Sequence, residues 1–152
     1  MTTAGVWLGV DVGTVRVGVA RSDPRGVLAT PLTTLPRDAD GETDVRALTQ
    51  LVREHEAVGV VVGLPVTLAG REGGSATMAR QYAQRLATMI SPIPVELVDE
   101  RLTTVAATRT LAARGIRGRA RRAVVDQAAA AEILQHWLDA RPARSKPPEK
   151  PA

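Results

Sequence analysis

The sequence predicts an α/β fold with one mixed sheet and helices on both of its faces. Three observations carry this. The opening of the chain is rich in Val, Leu and Gly and broken by tight turns; residues 58–63 form a continuous β-branched run; and helical periodicity flanks that run. The resulting order is β-β-β-α-β-α-β-α-α. Strands from residue 58 onward are expected to be mostly parallel, because each is reached by a helical crossover.

Residues 6–20 contain two strands joined at Gly13-Thr14, and a third strand follows the Asp23-Pro24 break, over 27–35. From 44 to 56, Val45, Leu48, Leu51 and Val52 recur at helical spacing. The run at 58–63 has no polar alternation, the mark of a strand covered on both faces. One proline and three glycines make 64–75 a loop, and its Gly70–Gly74 stretch ahead of Ser75 lacks the Gly-Lys-Ser/Thr ending of a P-loop. A second helix then carries Met78, Tyr82, Leu86, Met89 and Ile90 on one stripe. Pro92 and Pro94 close that region, and 95–98 is a short strand. Residues 103–113 have a helical pattern, and the segment 114–122 holds five arginines and two glycines. The last helix spans 126–138, with Ile133, Leu134, Trp137 and Leu138 facing inward. The expected organisation is one domain over 1–140, followed by a disordered proline-rich basic tail over 141–152 with four prolines.

Composition narrows the chemistry. At 152 residues the chain holds one domain. It has no cysteine and two separated histidines, His55 and His136, which excludes disulfides, thiolate sites, cysteine nucleophiles and a histidine-based zinc site. A net charge of +4 favours a polyanionic partner. No apolar run is long enough to cross a bilayer and no secretory signal opens the chain, so a cytoplasmic location is expected.

The acids fall at telling places. Asp11 ends the first strand within an apolar run, where a carboxylate is costly unless partnered or at the strand's mouth. Asp99 and Glu100 end the strand at 94–98; alternation sets Glu96, Val98 and Glu100 on one face and Val95, Leu97 and Asp99 on the other. Asp126 shares a helix face with Ala130, Ile133 and Trp137, so an acid at the amino-terminal end of the last helix points toward the sheet. Ligands bind at the carboxyl ends of strands in open α/β sheets. Three converging carboxylates with no nearby lysine suit hard divalent cations, which support phosphodiester hydrolysis without a protein nucleophile. Each acid also has a plainer role open to it: Asp11 in the turn at Gly13-Thr14, Glu100 paired with Arg101 or Arg16, Asp126 at a helix start. The arginines at 114–122 suit phosphate contact, or form a solvated linker. With three aromatics in the chain, backbone or shape recognition fits better than base stacking.

These segments resemble the YqgF (RuvX) family of Holliday junction resolvases or pre-16S rRNA nucleases. The matching pieces are Gly9-Val-Asp11-Val-Gly13-Thr-Val-Arg16-Val-Gly18-Val-Ala20, Val62-Gly63-Leu64-Pro65, Asp99-Glu100-Arg101-Leu102-Thr103-Thr104, and Asp126-Gln-Ala-Ala129-Ala130-Ala-Glu-Ile133-Leu134. The Asp-Glu-Arg-Leu-Thr-Thr block is the most specific, and the resemblance spans 6–139. It implies an RNase H-like, five-stranded mixed sheet whose first three strands are antiparallel. It also implies Asp11, Glu100 and Asp126 as catalytic residues and ligands of Mg²⁺ or Mn²⁺. Gly13, Gly63, Leu64, Pro65, Thr103 and Thr104 would line the cleft. Arg16, Arg101, Arg114, Arg117, Arg119, Arg121 and Arg122 are the candidate nucleic-acid contacts. A fourth acid, found in related nucleases, has Asp99 and Asp23 as candidates, and Ala69 departs from the polar residue expected before Gly70.

The function expected is a metal-dependent nuclease on structured nucleic acid, an rRNA precursor or branched DNA, trimming the 5′ end of pre-16S rRNA. The chain would act as a monomer or homodimer. The alternatives are a four-way-junction resolvase, which needs a symmetric dimer, and a non-catalytic RNA-binding ribosome-assembly factor. Asp11-Val-Gly13-Thr14 also looks like the first phosphate loop of actin-like ATPases and sugar kinases, which need two such domains.

Overall fold

A computed structural model describes residues 5–67, 69–103, 105 and 119–141, with the backbone alone for 119–121. The strands are β1 (Trp7–Val12), β2 (Arg16–Ser22), β3 (Ala29–Pro36), β4 (Gly59–Leu64) and β5 (Val95–Asp99). The helices are α1 (Thr43–Glu54), α2 (Gly74–Ile90) and α3 (Arg119–Ala140), and a 3₁₀ turn at Glu100–Leu102 follows β5. They build one sheet of order β3-β2-β1-β4-β5. The β1–β2 and β2–β3 pairs are antiparallel, whereas β1–β4 and β4–β5 are parallel, as the element order implied.

Position in the sheet follows from sequence. Every residue of β1 and β4 is buried, which is what unbroken Val-rich strands require when both faces are covered. One face packs Val10, Val60, Val62 and Leu8 against Leu48 and Val52 of α1 and Leu86 of α2. The other packs Trp7, Val61 and Val98 against Ala129, Ala130, Ile133 and Leu134 of α3. Gly9 lets α3 approach closely: a Cβ there would lie 2.7 Å from the Leu134 Cβ and 2.8 Å from the Ala130 carbonyl oxygen. At the far end of α3 the rings of Trp7 and Trp137 meet with centroids 4.1 Å apart, and the Arg141 guanidinium stands 4.8 Å from the Trp137 ring centre.

Three expectations are corrected. The last helix starts at Arg119 rather than 126, because the Arg- and Ala-rich stretch 119–123 propagates a helix well and contains no glycine or proline. Asp126 therefore lies in the third turn and caps nothing, and Arg119, Arg121 and Arg122 belong to a helix instead of a linker. The strand carrying Asp99 ends there, and Glu100 opens a 3₁₀ turn that alternation alone did not predict. The third strand begins two residues later than expected, since Asp23 accepts hydrogen bonds from the amides of Arg25, Val27 and Leu28 and holds 25–28 as a turn. The helix expected over 103–113 lies, apart from residues 103 and 105, outside the described residues, as do Thr104, Arg114, Arg117 and the tail from 142.

Candidate active site

Asp11 sits next to last in β1, 5% exposed. Its antiparallel partner is Gly18 of β2. The parallel register Gly9–Val61 and Val10–Val62, continued by one residue, sets Asp11 beside Gly63 of β4. The carboxylate is thus flanked by two residues without side chains, both on the α3 face of the sheet.

The space left over each glycine is taken by part of another acid's chain segment. A Cβ on Gly18 would collide with the Asp126 carbonyl oxygen and lie 3.1 Å from its Cβ. A Cβ on Gly63 would lie 2.7 Å from the Glu100 Oε2 and 2.6 Å from the Ile133 Cδ1. Glu100, 8% exposed, therefore folds back from the end of β5 across β4. Asp126 comes down from α3 onto β2. All three predicted acids thus gather at one end of the sheet, on the face that α3 covers.

Local chemistry holds Glu100 and Asp126 in place. The turn bearing Glu100 is fixed on both sides: the Asp99 carboxylate accepts from the Arg101 amide at 2.9 Å, and the Thr103 hydroxyl donates to the Glu100 carbonyl at 2.8 Å. Asp99 also grips the Arg101 guanidinium at 2.6 Å. That guanidinium holds the Asp99 carboxyl below its ordinary 3.8. Asp99 is thereby engaged with arginine, and Asp23 with its own turn, which accounts for both candidate fourth acids. Arg16 Nε donates to Asp126 Oδ2 at 2.6 Å, with the two side chains 26% and 22% exposed. Among the described residues no three acidic or histidine side chains stand close enough to hold a metal ion as placed.

The remaining predicted residues divide. Gly13 donates to the Arg16 carbonyl at 2.9 Å and closes the β1–β2 turn next to Asp11. Gly63 forms the floor beneath Glu100. Pro65 lies half-buried just beyond it, and Leu64 packs with Ala76 and Ala79 of α2, away from Gly63. Arg122 is exposed on the first turns of α3. Gly18, which carries no role in the sequence pattern alone, makes room for Asp126 because it lies opposite Asp11 in the β1–β2 register.

The sequence profile of the RuvX family, described as Holliday junction resolvase, matches residues 5–140. The chain belongs to the RuvX family. A Frankia casuarinae protein named "Putative pre-16S rRNA nuclease" is 59% identical over 142 residues, spanning 93% of this chain and 70% of its own length. One from Mycobacterium ulcerans with the same name is 58% identical over 140 residues, spanning 92% and 82%. Among solved structures, T. thermophilus RuvC in complex with a Holliday junction substrate superposes with a TM-score of 0.55 at 18% identity, over 90% of this chain and 95% of RuvC. The fowlpox virus Holliday junction resolvase gives 0.54 at 11%, over 90% and 99%. At such identities these structures establish the RNase H-like fold. RuvX proteins are nucleases, hydrolases of phosphodiester bonds, so this member's substrate is nucleic acid.

Proposed function

We propose that this RuvX member is a metal-dependent nuclease in which Asp11, Glu100 and Asp126 bind Mg²⁺ or Mn²⁺ and that it processes the 5′ end of pre-16S rRNA in the cytoplasm. The observation that carries this reading is that the segments bearing the three acids, from β1, the turn after β5, and α3, meet at one end of the sheet over Gly18 and Gly63, with the Asp126 carboxylate held by Arg16 in this arrangement. An all-carboxylate oxygen donor set is what hard divalent cations select. The names of the relatives supply the rRNA precursor.

When bound, such ions supply an activated water and neutralise charge on the scissile phosphate. The chain's own residues do the rest. Burial of Asp11 and Glu100 keeps bulk water from their carboxylates. Asp126 must leave Arg16 to join them, and Arg16, once released, is positioned to meet a substrate phosphate with its guanidinium fork. Arg101 and Arg122 extend the cationic rim.

The family's description favours a second reading, a four-way-junction resolvase acting as a homodimer. One experiment addresses both readings. Wild-type and Asp11→Asn proteins are incubated with a pre-16S rRNA 5′ fragment and with a four-way DNA junction, in Mg²⁺, Mn²⁺ or EDTA. The expected outcome is cleavage of the rRNA by wild type with either metal, none in EDTA, and a loss of at least about a thousandfold in Asp11→Asn. Junction cleavage in its place would establish the resolvase. RNA binding with no cleavage of either substrate, unchanged by Asp11→Asn, would leave an RNA-binding assembly factor.

A further inference from the structure

On the opposite side of the sheet from α3, a polar cluster lies among otherwise apolar packing. Asp44, in the first turn of α1, is 2% exposed. Its Oδ2 accepts from the Tyr82 hydroxyl of α2 at 3.0 Å and stands 3.5 Å from the Nε of Arg37, which follows β3. The Arg37 guanidinium also sits over the Tyr82 ring, 5.2 Å from its centre. Burial pushes the Tyr82 phenol far above its ordinary value, so it stays a hydrogen-bond donor at any physiological pH. An isolated structural ion pair buried this deeply gains little net stability, because desolvation of the charges offsets their attraction. What the cluster does hold is Arg37, and the direction in which Arg37 points gives it a use.

The Arg37 Nη1 donates to the Gly13 carbonyl at 2.9 Å, and the Arg37 backbone amide donates to the Val15 carbonyl at 2.9 Å. One residue thus grips the β1–β2 turn twice. That turn begins two residues after Asp11 and ends at Arg16, the partner of Asp126. We infer that Arg37, oriented by Asp44 and Tyr82, is a positioning residue that fixes the Gly13–Arg16 turn and so aligns Asp11 and Arg16 for phosphodiester cleavage. The inference rests on the acidic site being the nuclease centre. Backbone displacement of about 1 Å at a reacting carboxylate is enough to cost rate with little effect on binding. Removing Arg37 should accordingly lower kcat and leave KM nearly unchanged.

The test combines amide hydrogen exchange, measured by NMR, with cleavage kinetics on Arg37→Ala, Arg37→Lys and Tyr82→Phe proteins. In Arg37→Ala the Gly13 amide, which donates to the Arg16 carbonyl across the same turn, should exchange about tenfold faster as the turn loses its anchor on the Gly13 carbonyl, while Val61 and Val62 amides in β4 keep wild-type rates. kcat should fall at least about tenfold with KM within about twofold. Arg37→Lys should recover part of both, since an ammonium reaches the carbonyl but lacks the second arm for Asp44. Tyr82→Phe should move the Gly13 amide the same way by less, and should add nothing in the Arg37→Ala background. Should Arg37→Ala fail to fold, Tyr82→Phe, which keeps every cation in place, reads the same amide. Unchanged Gly13 exchange in the folded variants overturns the tether, and faster exchange with wild-type kcat overturns its catalytic part. A wild-type protein that cleaves no nucleic acid overturns the nuclease reading and the catalytic part with it, while exchange alone still decides the tether.

Discussion

Gly63 shapes the acidic site by what it lacks. Its missing Cβ is where the Glu100 carboxylate and the tip of Ile133 lie, so Gly63→Ala must displace one of them. Ile133 is wholly buried and branched, whereas the Glu100 contact is the terminal oxygen of a longer, unbranched side chain, so Glu100 moves. The expected result is a destabilisation of about 1–3 kcal/mol from overpacking, read by chemical denaturation, with cleavage reduced well beyond that loss. Cleavage at the wild-type rate by this variant would show that Glu100 is dispensable where it now lies. Arg16 poses the complementary question. If its 2.6 Å pair with Asp126 competes with a divalent cation, Arg16→Ala should bind Mn²⁺ severalfold more tightly in calorimetry. A pair about a quarter exposed contributes on the order of 1 kcal/mol. Cleavage should nonetheless fall, because a phosphate contact is lost.

Among the elements, α3 contributes most to the site, since its lower face packs on β1 and β2 while its third turn delivers Asp126. Leu134, fully buried where α3 crosses Gly9, anchors that packing. Leu134→Ala should cost about 2–5 kcal/mol in urea or thermal unfolding. The strands were largely legible in the sequence, because apolar runs and glycine breaks act locally. β4 shows this, predicted over 58–63 and found at Gly59–Leu64. The expectation that Asp11, Glu100 and Asp126 meet as a metal-holding trio is matched only in part: their chain segments share one end of the sheet, while among the described residues no three acids stand close enough to hold an ion. Three features were not legible. The start of α3 was hidden by an arginine-rich composition that suits helix and linker alike. The 3₁₀ turn at Glu100 depends on Asp99 and Thr103 acting together across it. The Arg16–Asp126 pair joins residues 110 positions apart, a contact that only the packing of α3 on β2 creates.

Across the whole molecule, several carboxylates sit on turns and helix ends where hydrogen-bond donors hold them below their ordinary values. Asp23 is held down first by the Leu28 amide, Asp38 by the Gly41 amide, and Asp99 by the Arg101 guanidinium, each from an ordinary 3.8. For such groups the unfolded chain takes up protons first as pH falls, so the stability they lend is present above the ordinary value and is lost below it. The midpoint of thermal unfolding should therefore stay level from about pH 8 to pH 5 and decline below about pH 4. A decline that begins near pH 6 would overturn the assignment to these carboxylates. The two tryptophans offer a way to watch such unfolding without a label. Both lie where α3 returns to the start of β1, in mutual contact beneath Arg141, so the tryptophan emission of this chain reports on a single seam. Peeling of the C-terminal helix from the sheet will change tryptophan emission excited selectively, whereas events confined to the α1–α2 layer, which holds Tyr82 but neither tryptophan, will leave it unchanged.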